Sequence, residues 1–184
     1  MIKRIAVTLA FAAALGGLAG PIQAADEPKV EVGLLAGHTG VVPGGSIELA
    51  VKFTLEDEWH IYWRNRGEGG MEPTFRWQLP AGYKVGEMRY PAPKRHVDQI
   101  GTHTFILEGE PTLLATLSVP KDAKRGTKAQ IGLEAKWLVC KTLCLPGAKS
   151  LTLSLPVVAS ADDVKPANES VFRVARTGLP LPQD

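Results

Sequence analysis

Apolar residues recur at every second position along much of the chain, in short runs broken by Pro and Gly. From Ser46 to Leu55, the side chains of Ile47, Leu49, Val51, Phe53 and Leu55 share one face, and Glu48, Lys52 and Thr54 take the other. A period of two marks a half-buried strand, whereas a helix needs i, i+3, i+4 spacing. Pro43-Gly44-Gly45 supplies the preceding turn. His60 to Trp63 predicts a short aromatic strand ahead of the Gly-rich turn Gly67 to Gly70. Phe75 to Leu79 predicts another, closed by Pro80-Ala81-Gly82, and Thr112 to Val119 a third that stops at Pro120.

The cleanest alternation runs from Ala129 to Val139, with Ile131, Leu133, Ala135, Trp137 and Val139 on one side. Ser150 to Val158 repeats it with Leu151, Leu153, Leu155 and Val157. Seven or so short strands separated by turn residues predict an all-β fold, an immunoglobulin-like β-sandwich. Helical signals gather only in the tail, where Pro166 precedes and Gly178 follows the apolar set Val171, Phe172, Val174 and Ala175. That tail predicts a short C-terminal helix packed on the sandwich.

The first 24 residues read differently. Lys3 and Arg4 precede the apolar stretch Ile5 to Leu18, and small residues at Gly20, Ala24 and Ala25 lead into Asp26-Glu27. This is the layout of a secretory signal peptide, and the apolar run falls short of the ~20 residues that span a bilayer. The expected organisation is a signal peptide over 1–24, an exported domain over 25–160 and a tail over 161–184. No membrane span remains once the signal is removed. Export changes the charge balance as well. The chain carries 21 Lys and Arg against 19 Asp and Glu. Without Lys3 and Arg4 the two signs cancel, which sets aside a nucleic-acid binder, because phosphate contacts need a basic excess.

Cys140 and Cys144 are the two cysteines of the chain, in the run C-K-T-L-C-L-P-G between the two clearest strands. Cys140 has even parity, so it leaves the strand on the face opposite Trp137 and Val139. In a straight strand their Cα atoms would stand about 13 Å apart, too far for a disulfide. A bridge therefore requires a turn within Lys141 to Leu143, giving a tight, surface-exposed dithiol loop that Pro146-Gly147 redirects into the next strand. Closing so short a loop contributes only about 2 kcal/mol, which makes it a poor staple. Two neighbouring thiols on a loop instead suit exchange, one attacking a disulfide and the other resolving it. Lys141 would modestly favour a thiolate at Cys140.

Spacing leaves three readings open: redox exchange, a structural staple, or copper or zinc held with one of His38, His60, His96 or His103, or with Met71 or Met88. No His follows either Cys at metal-site spacing. An isolated His in a β protein is more often a surface or satisfied core residue. Nothing in the sequence marks a nucleophilic Ser, a carboxylate pair or a phosphate loop, and Glu56-Asp57-Glu58 reads as a solvated acidic edge.

Four runs occur in a characteristic order: W-H-I-Y-W-R-N-R-G-E-G-G from Trp59 to Gly70, P-A-P-K-R from Pro91 to Arg95, E-G-E from Glu108 to Glu110, and W-L-V-C-K-T-L-C-L-P from Trp137 to Pro146. Together they resemble the periplasmic N-terminal domain of the DsbD/ScsB group of disulfide reductases, over about Val30 to Val158. The resemblance implies an immunoglobulin-like domain that relays electrons through Cys140 and Cys144 to or from thioredoxin-fold periplasmic proteins, without a bound cofactor or metal. It implies that Cys144 forms the mixed disulfide. It also implies a cap loop over the cysteines, with His103 to Glu108 as its counterpart, and Tyr62, Trp63, Phe105, Glu108 and Trp137 as cap or cysteine-packing residues. Phe105-Ile106-Leu107 departs from the family's usual aromatic cap sequence, and Arg66 stands where many relatives have Pro. The sequence ends at Asp184, so the reading expects a separate membrane protein as electron donor.

Overall fold

A computed structural model describes residues 30–180; the expected signal peptide lies outside them. Among the described residues, ten strands form two antiparallel sheets. The smaller sheet joins β1 (Val30–Ala36), β2 (Ser46–Leu55), β8 (Thr112–Ser118) and β5 (Lys84–Val85) in the order β1-β2-β8-β5. The larger sheet runs β10-β9-β3-β7-β6, from β10 (Cys144–Pro156) and β9 (Lys128–Cys140) through β3 (His60–Gly67) and β7 (His103–Glu108) to β6 (Lys94–Val97). Strand β4 (Thr74–Gln78) also pairs with β9, below its contact with β3.

The alternation of the sequence becomes the core of this immunoglobulin-like sandwich. Leu49, Val51 and Phe53 of β2 meet Ile131, Leu133, Ala135 and Val139 of β9, all buried between the sheets. Removing such side chains from water stabilises the fold by about 1.5–3 kcal/mol each before entropy is charged. Trp137 joins them, edge-on to Phe53 at a centroid distance of 5.4 Å. Its indole lies across Gly147, where a Cβ would come within 2.3 Å of the ring. Pro146-Gly147 is therefore not a turn. Both residues sit inside β10, opposite Leu138 and Trp137. Proline is tolerated there because β10 is an edge strand, and glycine is needed because the indole occupies the side-chain space.

The tail folds as expected of it. A single 3-10 turn (Ala161–Asp163) leads to α1 (Glu169–Thr177), which ends at Gly178. Phe172 and Ala175 of α1 pack on Ala50 and Leu114, covering the outer face of the smaller sheet. Glu48 ties the helix down, receiving Arg176 Nε at 2.7 Å and Arg89 at 2.6 Å on its two carboxylate oxygens. The strand β1 extends the smaller sheet in full register with β2. No helix among the described residues is long and apolar enough to cross a membrane.

Candidate redox site

Strands β9 and β10 form one long hairpin whose last pair is Cys140 and Cys144. Lys141 to Leu143 make the connection, closed by the Lys141 amide donating to the Leu143 carbonyl at 3.1 Å. The two Cα atoms lie 4.1 Å apart and the sulfurs are bonded. The turn that a bridge required is thus the hairpin tip itself.

Parity places both sulfurs on the outer face of the larger sheet, away from the main core. The two cysteines are nonetheless not equally accessible, and here the expectation of a surface-exposed pair needs correcting. Cys144 is exposed, but Cys140 is only 2% exposed, in a small cluster with Tyr62, Ile106 and Leu138. Even-numbered residues of β3, β7 and β9 build this second apolar patch on the outside of the sheet.

Register explains its composition. Glu108, His60, Cys140 and Cys144 are successive cross-strand partners, so they stand in one row across β7, β3, β9 and β10. Directly opposed residues in an antiparallel sheet project from the same face with Cβ atoms about 4.5–5.5 Å apart. Tyr62 lies two residues further along β3, and its hydroxyl donates to Cys140 Sγ at 3.4 Å and sits 3.9 Å from Cys144 Sγ. Burial raises the Tyr62 pKa and the Asp98 charge adds to the rise, so the phenol keeps its proton and remains a donor. The ring is held from outside by Gly70, whose φ is +78° and where any Cβ would lie 2.1 Å from the tyrosine.

His60 is 6% exposed, between the Tyr62 ring at 5.6 Å and the His96 ring at 5.2 Å. Desolvation lowers its pKa and the neighbouring His96 lowers it further, while Glu108 opposes them. The imidazole is therefore neutral at neutral pH. Glu108 itself is exposed and paired with Lys94 at 2.6 Å. Lys141 reaches Glu58 at 2.5 Å, so the acidic edge Glu56-Asp57-Glu58 meets the hairpin tip. Beside it opens a cleft of about 490 Å³ lined by Glu56, Asp57, Trp59, Leu143 and Leu145 among others.

Of the residues expected around the pair, Tyr62 touches both sulfurs and Glu108 lies in their row. Trp63, Phe105 and Trp137 do not gather there. All three have odd parity, which sends them to the sandwich side of the sheet. Trp63 packs on the main core, with Phe105 at 6.3 Å and its Nε1 donating to the Pro91 carbonyl at 2.9 Å. The cap expectation also shifts. His103 to Glu108 is strand β7, hydrogen-bonded on both sides to β3 and β6. The segment beside Tyr62 is instead the turn before it, where Asp98 accepts the amides of Ile100 and Thr102 at 3.0 and 2.8 Å. Sequence reasoning missed the place of His60, because the signal that locates it is the register between strands about 80 residues apart. Among the described residues no group of three or more His, Cys, Asp or Glu could hold a metal ion.

The site is a disulfide at a hairpin tip on an immunoglobulin-like sandwich, with one cysteine exposed and the other buried. The family model for the N-terminal region of the thiol:disulfide interchange protein DsbD matches residues 32–156, and the chain belongs to that family. The resemblance read from the Trp59, Pro91, Glu108 and Trp137 runs agrees with this, as does the reading of thiol–disulfide interchange. Among solved structures, the chain is similar to the N-terminal periplasmic domain of ScsB from Proteus mirabilis, at 23% identity and a TM-score of 0.59, over 86% of this chain and 57% of that one. The chain thus spans little more than half of that relative's length. The reduced N-terminal domain of Neisseria meningitidis DsbD is a more distant likeness, at 11% identity and a TM-score of 0.41, over 74% of this chain and 90% of that one. No curated protein matches the chain.

Proposed function

We propose that this chain is a periplasmic electron relay, exported by the signal peptide at 1–24, whose Cys140–Cys144 pair exchanges with thioredoxin-fold proteins. One observation supports the reading above the others: Cys144 is exposed while Cys140 is 2% exposed beneath the Tyr62 hydroxyl. Cys144 is the exposed cysteine and therefore the one a partner thiolate reaches. Its attack forms the mixed disulfide at Cys144 and expels Cys140 into a pocket that already holds a hydrogen-bond donor. In the reverse direction Cys144 attacks the partner's disulfide, and Cys140 then closes on Cys144 and releases the reduced partner. Two electrons move in either direction, and the dithiol is the only carrier required. Cys140, Cys144 and Tyr62 carry the chemistry, Glu108 stands in their row, and a membrane protein is the electron donor.

The Asp98–Thr102 turn, beside Tyr62, is the cap in this reading. Equilibrating the purified mature protein with glutathione buffers and alkylating the thiols measures the reduction potential. A value in the range of about −180 to −270 mV is expected of an exchange protein. A value below about −300 mV identifies a structural disulfide and overturns the proposal.

A further inference from the structure

Closing the Cys140–Cys144 bond requires Cys140 to attack as a thiolate, yet its surroundings are apolar. Burial among Tyr62, Ile106 and Leu138 disfavours a bare negative charge. A buried nucleophile of this kind needs a base at hand to take its proton as it attacks. The row across the sheet supplies one. His60 is the cross-strand partner of Cys140, projects from the same face and is itself buried. Its ring lies 5.2 Å from that of half-buried His96, tilted by 38°, and His96 leads from the buried row toward solvent. The groups facing His60 are Cys140 on β9, Tyr62 on its own strand, His96 on β6, and Glu108 on β7 with its partner Lys94 on β6.

Resting on the exchange function proposed above, we infer that His60 is the proton acceptor for Cys140, with His96 passing the proton to solvent. In the step that releases a partner, the Cys140 S–H proton moves to the His60 imidazole as the sulfur's electron pair attacks Cys144 Sγ. The Cys140–Cys144 bond forms, the bond from Cys144 to the partner sulfur breaks, and the partner leaves as a thiolate carrying the two electrons. His60 then loses its proton through His96. During reduction the same path runs backwards and protonates Cys140 as it is expelled. Because desolvation and His96 keep His60 neutral, the imidazole is in its accepting form throughout the neutral range.

The reaction of the reduced full-length mature protein with a chromogenic aromatic disulfide separates the two steps. A first thiolate is released when Cys144 forms the mixed disulfide, and a second when Cys140 resolves it. For the wild type, the second phase is expected to hold its rate from neutral pH down to the His60 ionisation, below 6.5, and to fall beneath it. His60→Gln is expected to slow the second phase at least about tenfold at pH 7 and leave the first within about twofold. Its second phase should instead drop about tenfold with each pH unit across that range, as expected when hydroxide alone removes the proton. His96→Gln should slow the second phase less. Equal second phases in wild type and His60→Gln, or equal slowing of both phases, would overturn the role of His60. If His60→Gln does not fold, a wild-type second phase with no ionisation below neutrality overturns it alone. A wild type that forms the mixed disulfide but never releases the second thiolate sinks the exchange reading itself, and the two failures are told apart.

Discussion

The Tyr62 hydroxyl bridges the two sulfurs, 3.4 Å from Cys140 and 3.9 Å from Cys144. A phenol donating to a disulfide sulfur gains little, because the acceptor is weak. The same phenol donating to a thiolate makes a charge-assisted bond, which is roughly twice as strong as a neutral one. Tyr62 therefore stabilises the charge that gathers on Cys140 Sγ as the sulfur is expelled or attacks, while the buried Cys140 of the resting dithiol keeps its proton.

Removing that hydroxyl should show in the rate of exchange more than in the fold. Tyr62→Phe keeps the ring that fills the space beside Gly70 and loses only the donor. A bond to the developing thiolate worth about 1.4 kcal/mol corresponds to about tenfold in rate, so a thiol should reduce the variant's disulfide roughly five- to tenfold more slowly. Its denaturant midpoint should stay near wild type, within about 1 kcal/mol of stability. A rate of reduction by glutathione at neutral pH that is unchanged or higher would show that the hydroxyl does not act on the thiolate.

The parity of β2, β9 and β10 was legible in the sequence because each is long and has one face in the core. Strand β1 was hidden by Gly33 and by the doublet Leu34-Leu35. Leu34 enters the main core and Leu35 packs against the patch beneath α1, so a two-sided strand lost its alternation. Strand β6 reads K-R-H-V on an exposed edge and offers no apolar face at all. For the site, the cysteine spacing and the even parity of Cys140 were readable, and so was its pairing once a turn was allowed. The burial of Cys140 was not, since it depends on Tyr62 and Ile106 arriving from distant strands in the right register. The same limit hid His60. A family pattern identified Tyr62 as a neighbour of the pair, but it also drew in Trp63 and Phe105, whose odd parity argues against them.

Helix α1 is held by an ion pair that pH can test. Burial alone would raise the Glu48 pKa, but hydrogen bonds from Arg89 and Arg176 more than offset it and bring it below the ordinary value of 4.5. A carboxyl whose folded pKa is depressed binds protons more readily in the unfolded chain. Its contribution is therefore complete above about 4.5 and is lost as pH falls through the lowered folded value. Glu48→Gln should cost about 1–2 kcal/mol at neutral pH, and the cost should shrink as the wild type is acidified through this window. Denaturant melts of both proteins at a series of pH values measure it. A gap that stays constant down to strongly acid pH would mean that the arginines do not stabilise the carboxylate.

The unequal burial of the cysteines makes the sharpest prediction, since it assigns each sulfur a separate task. In Cys140→Ser the remaining thiol is exposed on the hairpin tip, and in Cys144→Ser it lies under Tyr62 at 2% exposure. Under native conditions a small alkylating reagent should react with Cys140→Ser at least about tenfold faster, because a thiol in apolar surroundings is both shielded and poorly ionised. In denaturant the two variants should react alike, which separates access and environment from any intrinsic difference. Incubated with an oxidised thioredoxin-fold protein, Cys140→Ser should accumulate a stable mixed disulfide, because the attacking thiol is present and the resolving one is gone. Cys144→Ser should accumulate none. Non-reducing gels with mass spectrometry of the adduct read both outcomes. Equal alkylation rates in the native state, or an adduct through Cys140, would reverse the order of attack and resolution.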